Sequence, residues 1–167
     1  ETLAQRGITV VYGGAGVGLM GTLADAALAA GGEVVGVLPH PLFGKEVAHR
    51  GLTRLHEVAS MHERKMKMFE LSDGFLALPG GWGTLEEIFE MLTWAQLGLH
   101  RKPCGFLNVK GYYDGLLAFL EQMVARRFVK EKYRDLVLTG DDPSVLLDAM
   151  AAFRAPSGTK WIRPGET

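Results

Sequence analysis

The chain has 167 residues, 47% of them hydrophobic, and a formal net charge of −1. That is enough for one domain with a buried core, and too balanced a charge for a broad electrostatic grip on nucleic acid. Cys104 is the only cysteine, which excludes an intramolecular disulfide and a cysteine-rich metal site, and no apolar run approaches membrane-spanning length; both fit a cytoplasmic protein.

Glu1-Thr2-Leu3-Ala4-Gln5-Arg6-Gly7 reads as the last turns of an amphipathic helix stopped by a glycine, with a strand and most of that helix expected upstream of residue 1. Ile8–Tyr12 is a β-branched strand that runs into Gly13-Gly14-Ala15-Gly16-Val17-Gly18, and a helix follows from about Leu19 to Ala30. Val34–Leu38 is the next strand, stopped by Pro39 and Pro41. From His40 to about Leu52 the chain reads as an irregular loop carrying Lys45, Glu46, His49 and Arg50; a loop of this size in a compact domain is often functional. Ser60 caps a helix with Glu63 three places on, running to about Leu71. Phe75–Leu78 is a short continuous apolar run that fits a strand covered on both faces. A helix is expected to about Leu97, a strand at Cys104–Asn108, a helix from Tyr113 to Arg127, a short strand at Leu136–Leu138, and a last helix from Pro143 to about Phe153. Residues 156–167 form a Gly/Pro/charge-rich tail. Alternating strands and helices argue for an α/β fold, a doubly wound parallel sheet with helices on both faces, in a single domain over residues 1–155. Ligands in such folds bind at the carboxyl ends of strands, where both glycine loops fall.

The loop after Leu78, Pro79-Gly80-Gly81-Trp82-Gly83-Thr84-Leu85-Glu86-Glu87, carries the strongest chemical signal. Three glycines in four positions remove every Cβ that would hold a ligand away from the backbone. Thr84 and Glu87 have capping-box spacing, so the helix is expected to begin at Thr84 with its N–H groups and positive dipole end facing the glycines. Glu86 in the first turn would repel a phosphate placed directly on it, and suits a neighbouring electron-poor atom. The earlier loop, Gly16-Val17-Gly18-Leu19-Met20-Gly21, formally matches a dinucleotide fingerprint, but the next strand ends Leu38-Pro39-His40 where an acidic residue is required. A phosphate-contacting loop, with Gly14 among its contacts, fits better than a nicotinamide or flavin site; the bland alternative is a tight strand-to-helix turn. Arg64 and Lys65 near a helix start run against the dipole rule, which an anion nearby would offset; a solvated surface is the alternative for Arg64. His62 has no partner at metal-ligand spacing.

Taken together, Tyr12-Gly13-Gly14 through Gly18-Leu19-Met20-Gly21, Met61-His62-Glu63-Arg64-Lys65, the Pro79–Glu87 loop and Thr93-Trp94-Ala95-Gln96-Leu97-Gly98 resemble the LONELY GUY family of cytokinin riboside 5′-monophosphate phosphoribohydrolases. Members are often labelled lysine decarboxylases, but no pyridoxal-lysine context is present here. The resemblance covers residues 1 to about 153 and implies a Rossmann-like fold, a homodimer, and a nucleotide over the glycine loop. It implies that Gly80, Gly81, Gly83 and Thr84 cradle the 5′-phosphate, that Arg64 and Lys65 sit at the nucleotide, that Glu86 is the essential carboxylate, and that Glu46 and Thr93 line the pocket. Trp82 stands where Tyr or Phe is commoner, and the family's first strand with its Gly-Ser-Ser-like loop is absent from this sequence.

The chemistry so implied is hydrolysis of an N-glycosidic bond, with Arg64 and Glu86 as catalytic groups and no metal or organic cofactor. The substrate is a small-molecule nucleoside 5′-monophosphate of adenine or an N6-modified adenine; neither nucleic acid nor membrane is a partner. The competing reading is a non-enzymatic nucleotide or molybdenum-cofactor carrier on the same fold, which has no evident need for Glu86. Met61, Met66, Met68, Phe69, Trp94, Leu97 and Leu99 give adjacent helices more apolar surface than one sheet face needs, which also points to a homodimer.

Overall fold

Two runs of three parallel strands carry the fold. The computed structural model describes residues 1–40 and 48–156, and the chain divides into two compact units, Glu1–Ser72 and Asp73–Thr167.

The first unit contains α1 (Thr2–Gln5), β1 (Val10–Tyr12), α2 (Gly18–Ala29), β2 (Val34–Pro39), β3 (Arg54–Val58) and α3 (Met61–Leu71). Its sheet has the order β1-β2-β3, with Val10 opposite Val34 and Val35 opposite Arg54. β2 is central and buried at every position, as its uninterrupted apolar run requires. Val10, Tyr12 and Val34 pack against Ala24 and Ala27 of α2, where small side chains let the helix lie close to the strands, and Leu3 of α1 joins this core. β3 is an addition to the expected elements. Its sequence Arg54-Leu55-His56-Glu57-Val58 puts Arg54 and Glu57 in solvent, the charged habit of a strand at the end of a sheet.

The second unit contains β4 (Phe75–Ala77), α4 (Trp82–Leu97), β5 (Cys104–Leu107), a 3₁₀ turn at Val109–Gly111, α5 (Asp114–Ala125), a 3₁₀ segment at Glu131–Leu136, β6 (Val137–Gly140) and α6 (Pro143–Ala152). The order is β4-β5-β6, all parallel. β5 is central and wholly buried; Phe106 is fully enclosed, edge-on to Tyr113 at 5.2 Å and tilted against Phe89 at 6.4 Å. β4 differs from expectation: Phe75 and Leu76 are only half-buried, because β4 is an end strand of its sheet. α4 ends at Gly98, whose φ of 82° lets Gly98 and Leu99 return N–H bonds to Ala95 and Trp94. Asp142 caps α6, accepting from the Ser144 and Val145 amides, with Pro143 in the first turn. Among the described residues no helix is long and apolar enough to cross a membrane.

Candidate functional site

In the second unit, β4 feeds through Leu78–Gly81 into α4. Gly81 is the cap residue of α4 and no side chain caps it, so the expected Thr84–Glu87 capping box does not form. The physical reason is local: Thr84 already lies inside the first turn, and its hydroxyl fills the space beside Gly80, where a Cβ would collide with Oγ1. The first helical bond runs from the Leu85 N–H to the Gly81 carbonyl at 3.1 Å. Ahead of it, the N–H groups of Trp82, Gly83 and Thr84 have no place in the helical ladder, and a helix start without a side-chain cap is ready for an anion. A Cβ at Gly81 or Gly83 would meet nothing within 4 Å, and Trp82 is 89% exposed. Glu86 is exposed in the next turn of the helix. The structure therefore gathers Gly80, Gly81, Gly83, Thr84 and Glu86 at one open helix start.

Two residues without an assigned part in the site hold this loop from behind. The Tyr112 hydroxyl donates to the Gly80 carbonyl at 2.8 Å and the Tyr113 hydroxyl to the Leu78 carbonyl at 2.5 Å. Their rings meet edge-on at 4.9 Å. Burial pushes the Tyr113 phenol above its ordinary pKa, so it remains a donor at neutral pH. Asn108, just past the end of β5, ties down the turn that carries Tyr113: its Oδ1 accepts from the Tyr113 amide at 2.7 Å and its Nδ2 donates to Asp114 at 2.7 Å. Sequence reasoning saw only a helix start here; Gly111-Tyr112-Tyr113 directly after a strand was the available signal.

In the first unit, α3 begins as expected. The Ser60 hydroxyl accepts from the Glu63 amide at 3.1 Å, and the Glu63 carboxylate accepts from the Ala59 amide at 2.8 Å. One residue on, Arg64 is half-buried, and its guanidinium lies on the backbone of Gly13, where a Cβ would fall on Nη2. Nη1 lies 3.8 Å from the Met61 sulfur. Arg64 thus occupies the carboxyl end of β1, the ligand-binding end of a parallel strand. Lys65 beside it is also half-buried.

Most of the rest of the first glycine loop is filled by the protein, although Gly18, at φ 59°, faces open space. Gly14 is buried at φ 78°, and a Cβ there would press on Leu55 at 3.2 Å and Leu38 at 3.3 Å. A Cβ on Gly21 would come within 2.5 Å of the Gly16 carbonyl oxygen. The fingerprint-like spacing of Gly16 and Gly21 is thus accounted for by close loop–helix packing. The Gly14 carbonyl accepts from the His49 amide at 3.0 Å, and the His49 ring bridges Asp25, at 2.9 Å from Nε2, and the Gly51 amide, at 3.1 Å from Nδ1. Nδ1 must accept from that amide, so Nε2 carries the proton toward Asp25. Tyr12 donates to the Ala15 carbonyl at 3.2 Å; burial, reinforced by the Asp25 charge, pushes its phenol up to about 12.

Thr93 is on α4, two turns beyond Glu86, with its hydroxyl donating to the Phe89 carbonyl at 2.7 Å. It lines a cavity of about 410 Å³ together with Phe89, Leu117, Val124, Leu136 and Thr139. Glu46 lies outside the described residues. Among the described residues no group of His, Cys, Asp or Glu side chains could hold a metal ion.

A family profile described as "Possible lysine decarboxylase" matches residues 20–150. A probable cytokinin riboside 5′-monophosphate phosphoribohydrolase of Oryza sativa subsp. japonica is 48% identical over 153 residues, spanning 92% of this chain and 67% of its own. A cytokinin riboside 5′-monophosphate phosphoribohydrolase of Rhodococcoides fascians is 51% identical over 157 residues, spanning 93% of this chain and 78% of its own. Among solved structures, the molybdenum cofactor binding protein from Rippkaea orientalis matches with a TM-score of 0.63 at 20% identity, covering 90% of this chain and 80% of its own. At that identity the likeness shows a shared α/β fold of the Rossmann-like kind and nothing about cargo.

Proposed function

Because the chain belongs to the cytokinin riboside 5′-monophosphate phosphoribohydrolase family, the LONELY GUY proteins, we propose that it hydrolyses the N-glycosidic bond of adenine-type ribonucleoside 5′-monophosphates. The products are the free base and ribose 5-phosphate. The observation that carries this reading is the α4 start: no side chain caps it, and open space stands over Gly81 and Gly83. The 5′-phosphate takes that place, cradled by Gly80, Gly81, Gly83 and Thr84, with Lys65 and the Gly14 loop as further nucleotide contacts.

The C1′–N bond breaks as water adds its oxygen to C1′, and the proton released ends on the departing base. Positive charge grows on the ribose ring and negative charge on the base. Glu86 stabilises the first and takes up the proton of the attacking water. The Arg64 guanidinium, always charged, polarises the base as it leaves. The phosphate supplies remote binding energy that fixes C1′ against Glu86. Only water is needed as co-reactant, and no metal or organic cofactor enters the scheme.

The two units act as one nucleotide-binding domain over residues 1–155, in a cytoplasmic homodimer. Met61 at 46% exposure, Met66 at 44% and Leu99 at 37% supply apolar surface for the partner copy. Light scattering at micromolar concentration should give the mass of two chains.

Incubation with AMP and with isopentenyladenosine monophosphate tests the reaction: chromatography should find free base and ribose 5-phosphate. Recovery of both nucleotides intact would favour a carrier instead. Equal kcat/KM for AMP and adenosine would remove the phosphate anchor from the scheme.

A further inference from the structure

We propose that Tyr112 is a positioning residue that aims the Gly81 amide at the 5′-phosphate. This rests on the reading that the phosphate occupies the α4 start. A trans peptide unit is planar, with its carbonyl and its N–H on opposite sides. The Gly80 carbonyl and the Gly81 N–H belong to one such unit. Tyr112 holds that carbonyl at 2.8 Å, so the N–H of Gly81 is turned away from Tyr112, at the cap position of α4. A peptide flanked by two glycines has little steric resistance to rotating as a plate. Without the phenol it can turn and present an oxygen, instead of a donor, to an anion.

Tyr113 is the natural contrast. Its hydroxyl holds the Leu78 carbonyl at 2.5 Å, but the nitrogen of that peptide belongs to Pro79 and carries no hydrogen. Tyr113 therefore anchors the loop, its hydroxyl also meeting the Gly80 backbone, and does not orient the Gly81 amide. Burial separates the two in the same sense: Tyr113 is 2% exposed and packs on Phe106, whereas Tyr112 is 56% exposed. The core has little use for the Tyr112 ring, which leaves its hydroxyl bond to Gly80 as its distinctive contact.

Tyr112→Phe and Tyr113→Phe in the full chain test this. For Tyr112→Phe, KM for AMP should rise about tenfold, the scale of one lost charge-assisted hydrogen bond, while kcat changes by less than about twofold. The Kd of inorganic phosphate by calorimetry should weaken by a similar factor, with Tm nearly unchanged. For Tyr113→Phe the order reverses: Tm falls and phosphate affinity stays near the parent value. An unchanged phosphate Kd in Tyr112→Phe overturns the proposal, as does equal weakening in both variants. If the parent protein leaves AMP intact, the hydrolase reading fails by itself, and the phosphate titration still decides the role of Tyr112.

Discussion

The two glycine loops look alike in sequence and differ in what occupies the missing side chains. After β1, the Arg64 guanidinium covers Gly13, Leu38 and Leu55 crowd Gly14, and the Gly16 carbonyl blocks Gly21. After β4, only Gly80 is filled, by Thr84, and Gly81 and Gly83 face nothing within 4 Å. The first loop uses most of its glycines for packing. The second uses one for packing and leaves two open at a helix start without a side-chain cap, where an anion is favoured. A run of glycines is thus two different messages, separable only by what a Cβ would strike.

The largest expected effect follows from the chemistry assigned to the open loop. Glu86→Gln keeps shape and hydrogen bonding but removes the charge, and kcat should fall by at least ~10²-fold with nucleotide affinity level or better. Arg64→Ala should lower rate and affinity together, since the proposed scheme puts the guanidinium against the nucleotide before and during cleavage. A fully active Glu86→Gln enzyme would end the assignment of that carboxylate.

Next comes one substitution made in both loops. Gly21→Ala drives a methyl onto the Gly16 carbonyl and should cost about 1–3 kcal/mol, the scale of overpacking. Gly83→Ala enters open space in the first turn of α4 and should stabilise by up to about 0.5–1 kcal/mol, through helix propensity. It should nonetheless raise KM for the nucleotide by crowding the phosphate. Thermal unfolding of the two variants should therefore move in opposite directions. Two falling Tm values would erase the distinction between the loops.

The smallest effect separates the two units by pH. In the second unit His100 is buried, with Nδ1 accepting from the Lys102 amide at 3.0 Å and Nε2 donating to the Met91 carbonyl at 2.8 Å. Burial lowers its pKa, aided by the Lys102 charge and opposed by the Met91 bond. The unfolded chain takes up this proton first, near pH 6.5. The contribution of His100 to stability is thus complete above about 6.5 and declines as pH falls through that value toward the lower folded pKa. Tm should drop between pH 7.5 and 5.5, and less steeply in His100→Gln; equal slopes would show that another group governs the acid limb.

Strands β1, β2, β5 and β6, the Ser60–Glu63 cap and the alternation of strand with helix follow from apolar periodicity and cap chemistry, which are local properties written in residue order. β3 escaped because the charges of Arg54 and Glu57 mask an end strand that has only one neighbour to satisfy. The α4 start was misplaced because Gly81-Trp82-Gly83 carries no propensity signal, while the hydroxyl of Thr84 was drawn off to the space beside Gly80. Tyr112 and Tyr113 could not be connected to the glycine loop, since the bonds to Gly80 and Leu78 span 32 and 35 residues. By itself, then, the sequence determined the α/β order, the family motifs and the residue types available for the chemistry. Which glycines are packed and which are open was decided by tertiary structure, because the use of an absent side chain depends on the groups that folding brings around it.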